Sequence, residues 1–199
     1  PDMLGEEVRL DDVQNGVFDV DCEGFFRLMP GTDESGRSVL LVFVNELERD
    51  GWTKEGLAQY LWCVTHIALS RHDTLEQGLI FMVDYRAGTR ELYDRISPLR
   101  ELFRTLLFEC VPVKVRVTHW FFDPAAVGWW RGLMLSVFSN VSAVVKKRTV
   151  VHMGDGEENR RVLRERFGIG PDQVPAELGG NAEMDDWRRW IRERKEKGL

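Results

Sequence analysis

The sequence predicts an α/β layered domain with a mixed, mostly parallel sheet of about five strands. Two observations carry this. After a first hairpin, strand-like and helix-like segments alternate, the order that builds a layered α/β domain. The runs SVLLVFVNEL at 38–47 and GLIFMVDY at 78–85 are apolar almost throughout, as expected of strands buried on both faces.

The elements follow in order. Residues 1–24 are acidic and weakly patterned and read as an N-terminal extension. FFRLM at 25–29 is a short strand, Pro30 to Gly36 a charged turn, and 38–47 the second strand of the hairpin. A helix opens at Trp52-Thr53, with Thr53 as its cap. It carries Leu57, Tyr60, Leu61, Val64, Ile67 and Ala68 at helical spacing and ends near His72. Residues 78–85 form a strand and 86–89 a turn. A helix over about 90–108 follows, which Pro98 kinks or splits. KVRVTHWFF at 114–122 is a strand with two alternating sets. Lys114, Arg116, Thr118 and Trp120 form one; Val115, Val117, His119 and Phe121 form the apolar-rich one, expected to face helices or a cavity.

Residues 125–142 make a helix-length segment that is apolar on nearly every side, including Trp129, Trp130, Leu133, Met134, Leu135, Val137 and Phe138. A helix in a small domain normally keeps one wet face. A ligand, a membrane surface, a partner protein or a larger core must cover the second face. Lys146-Lys147-Arg148 follows, then a last strand at 148–153, a short helix at about 157–167, a turn at 171–174 and an irregular apolar stretch VPAELGG at 174–180. Residues 183–199 read as a C-terminal amphipathic helix, with Trp187, Trp190 and Ile191 on one face.

The chain has 199 residues, room for one domain with a real core. Its net charge of −6 weighs against a nucleic-acid partner and suits a cytoplasmic protein. No run of 18 apolar residues is present to span a membrane. Cys22, Cys63 and Cys110 are distant and odd in number, and read as buried thiols.

Catalytic signatures are absent. The sequence has no glycine-rich nucleotide or phosphate loop, no nucleophile elbow and no zinc-protease motif. Of the four histidines, His66 reads as a structural residue. His119 and His152 fall on strands and can meet across a sheet, though two histidines without a carboxylate motif are a weak metal signal. Asp84 ends a buried strand, where α/β folds gather functional groups, but capping the 86–89 turn explains it as well. Asp123-Pro124 reads as a strand exit and helix start. No enzyme activity, cofactor or metal is expected. The basic cluster 146–148 beside an apolar element suits an amphiphile with buried tails and an anionic head.

With these features in order, the chain resembles the CRAL-TRIO lipid-binding family over about 25–182. GLIFMVDYRAG at 78–88 is similar to the family's strand with a terminal Asp and a small-residue turn. Val111-Pro112 and the strand to WFFDP resemble the approach to the family's mobile gate helix, whose place 125–142 takes. KKRTVVHM resembles the last basic-then-apolar strand. VPAELGG is similar to the closing Leu-Pro-x-Glu-x-Gly-Gly.

The resemblance implies a pocket floored by the sheet, closed by the gate helix and opened by transient membrane contact. Its expected ligand is a phospholipid or other hydrophobic small molecule. The ligand-binding residues it implies are Phe81, Val83, Val117, His119, Phe121, Trp129, Leu133, Val137, Arg148 and Val150. Each methylene buried contributes about 0.8 kcal/mol. The family usually places a helical bundle before the lipid domain, a role nothing here fills. Phosphoinositide-binding members have an acidic residue after the proline before the fourth strand. Here Val113 follows Pro112, while the basic residue opening the last strand is kept as Arg148. A protein-interaction module on the same fold, within a larger parent protein, is the alternative reading.

Overall fold

A computed structural model describes residues 25–48, 54–96, 113–126 and 143–183, with a few scattered positions beside them. Five strands form one sheet in the order β1-β2-β3-β4-β5. They are β1 (Phe26–Thr32), β2 (Ser38–Phe43), β3 (Leu79–Asp84), β4 (Val115–Phe121) and β5 (Thr149–His152). β1 runs antiparallel to β2, and the other three pairings are parallel. Five described helices accompany them: α1 (Lys54–Leu69), α2 (His72–Gln77), α3 (Arg90–Arg95), α4 (Ala143–Arg148) and α5 (Gly156–Phe167). The mixed, mostly parallel sheet is as the sequence predicts.

Two apolar layers enclose the sheet. On one face, here the helical face, Leu40, Val42, Leu79 and Phe81 pack against Tyr60, Leu61, Val64, Ile67 and Ala68 of α1 and Leu92 of α3. On the other, the back face, Val39, Leu41, Ile80, Met82, Val117 and Phe121 pack against Leu163 of α5 and against Ile169, Val174 and Leu178. Burial on both sides is why β2 and β3 read as unbroken apolar runs.

The hairpin loop is held by Asp33. Its carboxylate accepts from the backbone of Ser35 and Arg37 at 3.1 and 2.8 Å, and from Arg37 Nε at 2.7 Å. Gly36 supplies the left-handed residue there, with φ of 78°.

Several boundaries differ from expectation. β2 gives way at Val44 to a 3-10 turn over Val44–Glu48, so the strand is shorter than 38–47. The helix expected to run to His72 stops at Leu69, where Ser70 Oγ donates to the Ile67 carbonyl at 2.7 Å. A short helix, α2, then lowers Thr74 onto Ser38, with their hydroxyls 2.7 Å apart. Lys146, Lys147 and Arg148 end helix α4 rather than opening β5. Cys63 is buried as expected, but Cys110 and His66 are exposed. The expected N-terminal extension, most of the second half of the 90–108 helix, the bulk of the 125–142 helix and much of the 183–199 helix lie outside the described residues.

β4 carries the irregularity that matters most. Leu79 pairs with Val115, but the next residue, Ile80, pairs with Val117. Arg116 is therefore an extra residue, a β-bulge. Its guanidinium reaches out to the Gln77 carbonyl, with Nε donating at 2.6 Å. A bulge changes the parity of all that follows. Val115 faces the helical side with Leu79 and Phe81, while Val117 joins the back face. The expected single set of Val115, Val117, His119 and Phe121 is split at its first member.

Candidate functional site

With the register known, each strand residue can be assigned a face. Leu79, Phe81, Val83 and Tyr85 point to the helical face. Phe81 pairs with Thr118 and Val83 with Trp120, which puts Thr118 and Trp120 on that face too. Thr118 pairs in turn with Thr149, and Trp120 with Val151. The two threonine hydroxyls meet at 2.9 Å.

Above this strip sits an aromatic cluster. The rings of Tyr85 and Phe122 stack at 5.2 Å with planes 9° apart. Trp120 meets both edge-on, at 6.0 Å from Tyr85 and 6.4 Å from Phe122. Such offset and edge-to-face pairs hold aromatic side chains in fixed relation. Where α1 covers the sheet, the helical-face residues are fully buried. Further along, Val83, Tyr85, Trp120, Thr149 and Val151 are only half-buried. A mainly apolar strip is thus left incompletely covered across β3, β4 and β5.

The residues singled out from the sequence do not line one cavity. Phe81 and Val83 lie on the helical face, Phe81 as buried core and Val83 at the half-buried strip. Val117, His119, Phe121 and Val150 lie on the back face beneath α5 and the segment that follows it. The five-stranded sheet itself separates the two sets, because alternation on β4 after the bulge is out of step with the expected choice. Arg148 Nη1 donates to the Val115 carbonyl at 2.9 Å and so ties the end of α4 to β4. Trp129, Leu133 and Val137 lie outside the described residues.

Tyr85, Trp120, Phe122 and Val151 were the residues missed. One signal for them was present: Trp120 shares the polar-looking set with Thr118, and that set carries the larger ring. The bulge that puts it in phase with Phe81 and Val83 left no mark on the hydropathy pattern.

The histidines do meet. His119 Nδ1 and His152 Nε2 are 2.8 Å apart, both rings are buried, and His152 stacks on Phe121 at 4.6 Å. Burial, aided by His152 and Arg37, lowers the His119 pKa to about 3. Burial and Arg166 lower that of His152 to about 4. Both rings are neutral at pH 7, so one must donate and the other accept. His119 Nε2 is buried without a partner. An unpaired acceptor costs less there than an unpaired N–H, which assigns the proton to His119 Nδ1 and makes His152 Nε2 the acceptor. Among the described residues no group of three or more His, Cys, Asp or Glu side chains could hold a metal ion.

The two remaining candidates, Asp84 and Asp123, both accept local hydrogen bonds. Asp84 accepts from the Arg86 backbone N–H at 3.0 Å and from its guanidinium at two points, both 2.9 Å. That hydrogen bond leads the causes that raise the Arg86 pKa. Arg86 then donates to the Glu177 carbonyl at 2.6 Å, while Arg27 bonds the Glu177 carboxylate at 2.7 Å. Arg27 on β1 and Arg86 in the turn after β3 thus clasp the VPAELGG segment. Its Val174 and Leu178 enter the back-face core. Asp123 accepts from the Ala125 N–H at 2.8 Å and starts a 3-10 turn, as expected. A cleft of about 440 Å³ on this side, between β1 and the C-terminal segment, is lined by mixed charges including Arg27, Asp172 and Glu183. It is not an apolar cavity. No helix among the described residues is long and apolar enough to cross a membrane.

No protein-family model and no curated protein sequence matches the chain. Among solved structures it is similar to the crystal structure of Sfh5, a Sec14-like CRAL-TRIO protein. The two share 16% identity with a TM-score of 0.56, over 94% of this chain and 62% of that one. The chain thus spans less than two thirds of the length of that structure. At this identity the likeness establishes the architecture alone: a mixed α/β domain with a Sec14-like fold.

Proposed function

We propose that the domain binds a hydrophobic ligand of the lipid class on the helical face of the sheet, for transfer or sensing rather than for catalysis. The observation that carries this reading is the half-buried strip of Val83, Tyr85, Trp120 and Val151, lying along strands whose other face packs beneath α5, where Val150 is half-buried. A parallel crossover is almost always right-handed. β2 to β3 and β3 to β4 cross on the helical face, and the strand order advances in one direction throughout. The stretch 125–142, which lies in sequence between β4 and β5, is apolar on nearly every side. Lipid tails laid along the strip would complete the burial of its apolar side chains. The chemistry of the described acids and histidines supports binding over catalysis. Asp84 and Asp123 are spent as turn caps, and the histidine pair is sealed on the opposite face.

A second reading, an interaction module with no ligand, is favoured by one observation. Tyr85, Trp120 and Phe122 already pack on one another, and Phe122 is buried. Native mass spectrometry of the purified protein, followed by lipid extraction, separates the two. One lipid per chain is expected, lost on Val83→Trp, which fills the strip. An empty chain that takes up neither fatty acid nor phospholipid overturns the lipid reading and leaves the module.

A further inference from the structure

The cleft of about 440 Å³ between β1 and the segment after α5 lies on the back face of the sheet, away from the candidate strip. The side-chain amide of Gln173 stands in its wall. Gln173 ends the 3-10 turn Pro171–Gln173, and the backbone there is fixed. The Gln173 N–H donates to the Gly170 carbonyl at 3.0 Å, the Asn181 N–H donates to the Pro171 carbonyl at 2.9 Å, and Val174 is buried in the back-face core. The amide lies so close to Gly31 of β1 that a Cβ there would come within 2.6 Å of Gln173 Nε2. Its Oε1 is nonetheless buried and accepts no hydrogen bond. Such an acceptor destabilises a fold, and an apolar side chain of similar shape would not. The charged groups of the cleft are short of donors too. Arg27 is bonded to Glu177, and Glu183 and Arg189 have protein partners. Asp172 takes only a long bond, 3.4 Å, from Asn181 Nδ2. Glu193 is exposed and enters no ion pair among the described residues. The buried orphan and both under-used charges are therefore acceptors.

We propose that this cleft binds an organic cation with several N–H donors, an alkylguanidinium or a polyamine. Its volume is that of a small-molecule site. Guanidinium and ammonium groups carry donors only, which is what Gln173 Oε1, Asp172 and Glu193 are short of. A bare divalent ion does not fit, because among the described residues no three His, Cys, Asp or Glu side chains come close enough to hold a metal. The acceptors stand on two separate segments, the 171–173 turn and the neighbourhood of Glu193, which suits an extended ligand. The same cation can arrive as a free small molecule or as a basic side chain of a peptide. The sheet lies between this cleft and the candidate lipid strip, so the inference is independent of the lipid-binding reading.

The test is isothermal titration calorimetry of the full chain with agmatine, spermidine and the capped tripeptide Gly-Arg-Gly, beside calcium and capped Gly-Glu-Gly as controls. Saturable binding of a cation at one site is expected, with no binding of either control. Gln173→Leu leaves every charge in place, so it separates the site from general attraction to an acidic protein. It should bind roughly tenfold more weakly while melting no lower than the unsubstituted chain. A merely structural amide would give the reverse, a lower melting temperature and unchanged binding. Gly31→Ala, which pushes the amide aside without removing it, should also weaken binding. Glu193→Gln should weaken it and reduce its salt dependence. Tighter binding of agmatine or spermidine assigns a free cation, and tighter binding of the tripeptide assigns a basic segment of a partner. No saturable binding of any cation, calcium binding at the same site, or full affinity in Gln173→Leu overturns the proposal. Val83→Trp should leave cation binding unchanged, so failure here and failure of the lipid reading are told apart.

Discussion

At the scale of single residues, the His119–His152 pair makes stability depend on pH. Both pKa values are lower in the folded chain than the ordinary value of 6.5. The unfolded chain therefore binds more protons between pH 6.5 and about 4, and stability must fall as pH falls through that window. Above pH 6.5 both rings are neutral in either state and the pair adds no slope. The limit is about 1.4 kcal/mol per pH unit for each ring. Urea unfolding at pH 7, 6 and 5 should show the decline, and His119→Leu/His152→Leu should remove most of it. A profile flat from pH 7 to 5 in the unsubstituted protein would mean that the pair is not buried neutral. The sequence placed these two rings on strands that can meet. It did not show which face they share, because that depends on one extra residue in β4.

Among elements, the segment after α5 is held by geometry as much as by burial. A Cβ on Gly180 would lie 1.9 Å from the Val174 carbonyl oxygen, a backbone atom that cannot step aside. Gly180→Ala should cost about 3 kcal/mol in chemical denaturation. Gly170→Ala is the control: nothing lies within 4 Å of its Cβ, and a change under about 1 kcal/mol is expected. Glu177→Ala removes one partner of Arg27, whose side chain is 7% exposed and also lies over the Phe43 ring. A loss of about 1–2 kcal/mol follows from the weakened pairing of a buried guanidinium. Amide exchange in residues 174–182 should quicken more than in β2 or β3. The Glu-x-Gly-Gly pattern is thus explained locally: the carboxylate is clasped and the second glycine lets the chain pass close to itself.

For the whole molecule, ligand binding and folding are linked. A lipid that binds the folded chain alone, at 100 times its dissociation constant, adds about 2.7 kcal/mol. In a chain of this size that is roughly a 5–10 °C rise in melting temperature. Scanning calorimetry with and without bound lipid should show it, and Val83→Trp should abolish the rise while leaving the unliganded transition cooperative. An equal rise in Val83→Trp would move the ligand away from the helical face.

The sequence by itself determined the strand set, the mixed sheet and the α1 contact face, since periodicity and apolar runs report how much of each element is buried. It also identified Asp84 as the cap of the 86–89 turn and Asp123-Pro124 as the exit from β4, both local features. Only the tertiary structure decided which side chains share a face. Phe81 and Val83 lie on the helical face, while Val117, His119, Phe121 and Val150, named with them from the sequence, fall behind the sheet. The physical reason is that side chains on a strand alternate with a period of two, so the single bulge at Arg116 exchanges the faces of everything beyond it. Hydropathy records that a residue is buried, and both faces of this sheet are.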